Sequence, residues 1–339
     1  MIRLPALDGR FALGYLAALG TVQLLDAAGH QPRLSWSTDD ATAQLDGRGL
    51  DCVDDVVAAL TGIAQSIPAG TLVPFGPSEF PPDHDGDSAR MKLTAANYAT
   101  LMTRAAASPM PAAATAWVGS LATDTVVDDT GKTVATLYAA ISGQQTLRTM
   151  LAKPLDMIQQ DPDYLRQALV AWRRVDGVSG EYLDHRVLFD AAASPAGKSN
   201  ERGVPGATWL ALMSYPLART TTMDGRRVIS TGWFREGNRL RFRWGLWSQP
   251  LDLAAIKVLW ESPLLTEACA TKPVLSANDT TPVRRATRGR IARIDDARRR
   301  IQVMQVFYLQ RAVRRRIPGR TFAGVLAPDP GWSNPLSDG

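Results

Sequence analysis

Between Arg284 and Arg316 the chain carries twelve arginines, no lysine and two acids, Asp295 and Asp296. Charge of that density must stay in water, meet anions, or be neutralised one guanidinium at a time. The apolar residues Ile291, Ile294, Ile301, Met304, Tyr308 and Val313 recur at roughly helical spacing. Residues 288–317 are therefore predicted as a basic C-terminal amphipathic helix. Two uses of its outer face stay open: contact with a polyanion, or a solvated face that docks another protein.

The rest of the chain sharpens that contrast. Residues 1–100 hold six basic against twelve acidic residues, whereas residues 281–320 hold thirteen against two. An acidic front and a basic back suggest one nucleic-acid-facing surface. A chain of 339 residues, 45% hydrophobic, can bury a real core. Cys52 and Cys269 are far apart and lack CxxC partners, so neither zinc nor a disulfide framework is expected. Arg3, Asp8 and Arg10 stand where an export signal would be apolar, and Phe11–Leu25 is short for a membrane span. A cytoplasmic protein with no membrane partner is expected.

The predicted class is α+β: mostly helical, with several short antiparallel hairpins and the basic C-terminal helix. The opening Leu13, Tyr15, Leu16, Leu19, Val22 and Leu24 make a helix apolar on most sides, hence buried. Gly14 and Gly20 fit there only if another element packs close, and Gly29 ends it. Residues 33–36 and 42–45 read as strands, and Asp51 as the cap of a helix through Ile67. Residues 68–90 read as loop. Helices follow over 94–107, 112–121, 144–160, 162–174, 207–217 and 251–260, with a hairpin after residue 121. The expected domains are an N-terminal α+β domain (1–140), a central α+β domain (141–270), a linker (271–287), the basic helix, and an irregular tail (318–339).

The clearest sheet signal is residues 226–247. In its second strand Leu240, Phe242, Trp244 and Leu246 point one way and Arg239, Arg241 and Arg243 the other, about 7 Å apart. A phosphate-tracking row and a solvated outer face are both open. With Arg298, Arg299, Arg300, Arg314, Arg315 and Arg316 they form the predicted nucleic-acid contacts. A possible secondary polar site comprises Gln144, Gln145, Arg148, Arg173 and Arg174, as ligand contacts or as a buried network.

Catalytic sets are poorly represented. Three histidines, His30, His84 and His185, are too few for a histidine-rich metal centre. The run Asp83-His84-Asp85-Gly86-Asp87 lacks the closing glutamate of a calcium loop. Residues 194–199 echo the end of a phosphate-binding loop without its first glycine. Glu181, Asp184 and His185 form the one candidate acid–base cluster, with no nucleophile beside it. No metal, cofactor or catalytic residue is assigned, and the protein is read as non-enzymatic.

The opener LDGRFALGYLAALGTVQLL resembles the N-terminal signature of proteins in type I-G (formerly I-U) CRISPR–Cas systems. SGQQTLRTML, WRRVDGVSGEYLDHR and GVPGATWLALM are similar to the family described as an extension of the type I-G helicase-nuclease. The likeness spans roughly residues 1–25 and 140–215. It implies a subunit or accessory of an RNA-guided effector complex, in which guide pairing supplies the main sequence readout. Its partners would be DNA or RNA, other effector subunits and the helicase-nuclease. The alternatives are a protein-docking adaptor that touches no nucleic acid, and a nucleic-acid-processing enzyme using Glu181, Asp184 and His185.

Overall fold

The structure is a computed structural model and describes residues 1–68, 70–140, 145–193, 201–276, 280–317 and 323–336. It is a mixed α+β architecture. Strand β1 (Ile2–Asp8) enters a tight turn in which the Asp8 carboxylate accepts from the Arg10 backbone N–H and guanidinium. Helix α1 (Ala12–Ala27) follows, then β2 (Arg33–Trp36) and β3 (Thr42–Asp46), with β3 between β1 and β2. Strand β1 is not expected from the sequence, because Pro5 weakens its strand signal. As the outer strand, with its register broken between Leu4 and Asp8, β1 tolerates the proline.

Helix α2 (Val53–Gln65) starts after Cys52 rather than Asp51, because the Asp55 carboxylate takes the N–H groups of both residues. Next come α3 (Ala95–Ala106), α4 (Pro111–Leu121), the hairpin β4 (Ala122–Val127)–β5 (Thr133–Ala135), α5 (Leu147–Gln160) and α6 (Asp163–Val170). A short pair, β6 (Val175–Asp176) with β7 (Arg202–Gly203), brackets α7 (Val187–Ala193). Helix α8 (Pro205–Met213) precedes the hairpin β8 (Thr220–Thr222)–β9 (Val228–Ser230). A four-stranded antiparallel sheet is built from β10 (Trp233–Glu236), β11 (Arg239–Trp247), β12 (Val306–Arg316) and β13 (Ala323–Pro328), in that order. Between β11 and β12 lie α9 (Leu253–Glu261), α10 (Pro263–Ala268) and α11 (Thr281–Val303).

The C-terminal third differs from expectation in three ways. The basic helix stops at Val303, and residues 306–316 are a strand, so the arginine-rich segment is half helix and half sheet. Met304 and Gln305, the latter at φ 61, form the bend, and the aromatic and β-branched run Val306-Phe307-Tyr308 favours sheet beyond it. The linker is shorter than expected because α11 begins at Thr281, with Pro282 in its first turn. The tail is not irregular throughout: β13 closes the sheet, and the Asn334 side chain accepts from the Leu309 N–H at 3.0 Å.

Helix α1 is the centre of the molecule. Thirteen of its sixteen residues are buried, against β1, β2, α2, α8, α9 and β13. At Gly20 the backbone of α8 comes so close that a Cβ would lie 1.7 Å from the Leu210 carbonyl oxygen. Tyr15 stacks on Trp36 and Trp244 and meets Trp247 and Trp260 edge-on, tying both larger sheets to α1. One continuous apolar cluster runs from Ile2 to Leu326, so the expected boundaries at 140 and 270 fall within a shared core.

Gly20→Ala is therefore expected to cost about 3 kcal/mol, since neither backbone can retreat without opening the core. Gly62→Ala, at an exposed site in the last turn of α2 with nothing among the described residues near its Cβ position, is expected to add about 0.5–1 kcal/mol. Urea unfolding midpoints of the two variants would separate these outcomes.

Candidate nucleic-acid interface

The alternation read into β11 is present, but the second face is not open. Phe242, Trp244 and Leu246 enter the aromatic core, while Arg241 and Arg243 are also buried, 8% and 3% exposed. Helix α10 packs on β11 and α11 on β12, and this covers the arginine face. The Arg243 guanidinium donates to the Trp260 carbonyl at 2.6 Å and to Thr266 Oγ1 at 3.0 Å. Burial lowers its pKa.

Arg241 lies 3.0 Å from Asp329 and 3.3 Å from Glu236. Arg311, directly across the ladder from Arg243, shares both carboxylates, at 2.6 Å from Asp329 and 3.2 Å from Glu236. It also donates to the Cys269 carbonyl at 2.9 Å and stacks on Trp332, 4.4 Å from the ring centre. Arg314 is half-buried, with its donors engaged. Its donors meet the carbonyls of Gly324, Leu137 and Tyr138, and burial pushes its pKa down to about 10.

Arg241, Arg243 and Arg314 are thus removed from the predicted contact set. Period-two alternation shows that side chains oppose one another across a strand, but not what lies over the second face. Arg239 stays exposed at the turn end of β11. Arg315 and Arg316 are exposed at the far end of β12. With Phe242 opposite Ala312 in antiparallel register, these three lie toward the same end of the sheet.

The freer charge is on α11. Only Ile294, Ala297 and Ile301 are buried there, so the contact with the body is confined to the second half of the helix. Arg298 is held in that half: it donates to the Ala268 and Ala270 carbonyls at the end of α10. Arg299 and Arg300 are exposed and share Asp296 at 3.5 and 3.8 Å, pairs of little energetic weight at a surface. Asp295 is taken by Lys272 at 2.6 Å.

The first half, Thr281 to Arg293, contains no buried residue. Arg284, Arg285, Arg288, Arg290 and Arg293 are all exposed there, and none has an acidic partner among the described residues. They were not singled out from the sequence. The available signal was the lack of any acid from residue 281 to residue 294, together with the failure of apolar periodicity before Ile291.

The secondary polar residues do not converge on a ligand site. Arg148 is 3.0 Å from Asp83 and donates to the Pro81 carbonyl. Arg174 pairs with Asp190 and donates to the Arg202 carbonyl. Arg173 is exposed, and Gln145 donates to Glu181. Gln144 and residues 194–199 lie outside the described residues. The acidic run is used locally: Asp85 accepts from the N–H groups of Asp87 and Ser88, and Asp87 pairs with Lys132. Among the described residues no three His, Cys, Asp or Glu side chains gather as metal ligands, and no helix is long and apolar enough to cross a membrane.

The acid–base cluster has structural partners. Asp184 is buried and bound by Arg186 at 2.7 Å. His185 stacks on Phe11 at 4.7 Å, and burial lowers its pKa. Glu181 lies in a run of left-handed residues, Gly180 to Tyr182, and is buried with Gln145 and Ser179 donating to it. Burial outweighs those donors and pushes its pKa up to about 7.

No protein-family model matches the chain, and no curated protein matches it.

A carboxyl with a native pKa above its ordinary value of 4.5 binds its proton more tightly in the folded state. Stability should fall as pH rises from about 4.5 to about 7, by roughly 3 kcal/mol in all. Glu181→Gln is expected to remove that slope and to raise stability at pH 8, as read from denaturant titrations across pH. Arg311→Ala leaves Arg241 as the one cation between two largely buried carboxylates, and the uncompensated charge is expected to cost about 3–5 kcal/mol. Thermal unfolding would register it.

Proposed function

We propose that this protein is a non-catalytic nucleic-acid-binding component whose main contact is the basic helix α11. One observation carries the reading: five exposed arginines stand on a half-helix with no buried residue and, among the described residues, no acidic partner. Guanidiniums in that state hold counterions, and a phosphate backbone replaces them with a gain in entropy. Arg299 and Arg300 extend the basic surface toward the body. Arg239, Arg315 and Arg316 offer a lesser patch at one end of the sheet.

The wider role in this proposal is that of a subunit or accessory in a type I-G CRISPR effector complex, supporting recruitment of the helicase-nuclease. Resemblance of the α1, α5 and α8 segments supports it. Those segments build the core, whereas α11 lies outside the resemblance. The complex membership and the binding surface therefore rest on separate observations. Nothing in the reading assigns catalysis, because Asp184 and His185 are engaged in an ion pair and a ring stack.

The test is a binding series with DNA and RNA oligonucleotides at several salt concentrations. Affinity is expected to fall steeply with salt. Replacing Arg284, Arg285, Arg288, Arg290 and Arg293 with glutamine should reduce the slope of log K against log salt by about 4. Replacing Arg239, Arg315 and Arg316 should have the smaller effect. Salt-insensitive binding, or an acidic protein partner retained with no nucleic-acid affinity, would overturn the proposal in favour of a docking adaptor.

A further inference from the structure

The proposed contact on α11 has a feature that the fold itself does not require. Gly289 sits in the middle of the exposed half-helix, where glycine costs about 1 kcal/mol relative to alanine. No atom of the described residues lies within 4 Å of the position its Cβ would take, and its φ is not in the left-handed region. Packing inside this chain therefore gives no reason for glycine, in contrast to Gly20. Ala286 and Ala292, one turn to either side, are also small and exposed.

Successive residues of an α-helix are rotated by about 100°. Ala286, Gly289 and Ala292 then share one face, about 120° wide, and Arg285 and Arg293 stand within it. Measured from Gly289, Arg288 lies about 100° to one side and Arg290 about 100° to the other. Arg284 lies further round on the Arg288 side. The half-helix thus presents a low face that admits close approach, two long donors within that face, and a cation on each flank.

We infer that the first half of α11 lies in the major groove of B-form duplex DNA, with the Ala286–Gly289–Ala292 face toward the base edges. The groove is about 12 Å wide, and a helix with its side chains is about 10–12 Å across. Arg288 with Arg284 reaches one phosphate wall and Arg290 the other. Arg285 and Arg293 point at base edges, where arginine pairs with guanine O6 and N7. A single strand would engage one flank only. The major groove of an RNA duplex is too narrow to admit a helix.

This inference rests on the nucleic-acid reading above but fails separately from it. The experiment measures the full chain against a DNA duplex, an RNA duplex and a DNA single strand of matched sequence. Wild-type protein is expected to bind the DNA duplex at least about tenfold tighter than either of the others. Gly289→Leu should keep the helical circular-dichroism signal and lose about tenfold or more on the DNA duplex only. Arg284→Gln/Arg288→Gln and Arg290→Gln should each weaken duplex binding, because both walls are used. Equal affinity for all three ligands, an unaffected Gly289→Leu variant, or loss confined to one flank would overturn the groove assignment and leave general backbone binding standing. Absence of salt-sensitive binding to any of the three would remove both proposals.

Discussion

A guanidinium does not leave water unless oxygens replace it, and this constraint sorts the arginines of the chain into two populations. Four of the C-terminal sheet, Arg241, Arg243, Arg311 and Arg314, are drawn in against carboxylates or carbonyls of the fold, whereas Arg239, Arg315 and Arg316 stay exposed at its end. Arg241 and Arg311 share Glu236 and Asp329, while Arg243 and Arg314 take main-chain carbonyls. Those of the first half of α11 have no acidic partner among the described residues. Asp329, next after β13, meets Arg311, so the buried network also ties the C-terminal segment to β12.

The same constraint links scaffold to surface. Gly20 lets α1 and α8 touch backbone to backbone, and the aromatic residues around Tyr15 then join the β1–β3 sheet to the β10–β13 sheet. With β11 and β12 held in that frame, Ile294, Ala297 and Ile301 anchor only the second half of α11. The first half extends from a fixed base. Its helical conformation is set by Pro282 in the first turn and by the anchored turns that follow, so the arginines keep their relative directions.

Much of this was legible from residue order alone. The all-round apolarity of α1 required burial, and its glycines required a close neighbour, which is α8. The strands at 33–36 and 42–45, the hairpin after residue 121 and the helices α3 to α5 followed from periodicity and turn residues. Two things were not legible. Local alternation along β11 shows two faces but not that α10 and α11 cover the second, since that depends on contacts distant in sequence. Nor does charge density tell helix from strand, so the arginine-rich segment read as one helix although Val306 to Arg316 pairs with β11 and β13. Of the candidate contact residues, Arg239, Arg299, Arg300, Arg315 and Arg316 are exposed, Arg298 and Arg314 are half-buried with donors on main-chain carbonyls, and Arg241 and Arg243 are buried.

The division into two arginine populations is open to direct chemical measurement. Phenylglyoxal modification followed by peptide mass spectrometry, with and without a DNA duplex, reads each guanidinium separately. The account expects rapid reaction at Arg284, Arg285, Arg288, Arg290 and Arg293 in the free protein, strong protection there on adding DNA, and almost no reaction at Arg241, Arg243, Arg311 and Arg314 in either state. Rapid modification of the sheet arginines, or DNA protection that spares α11, would contradict it.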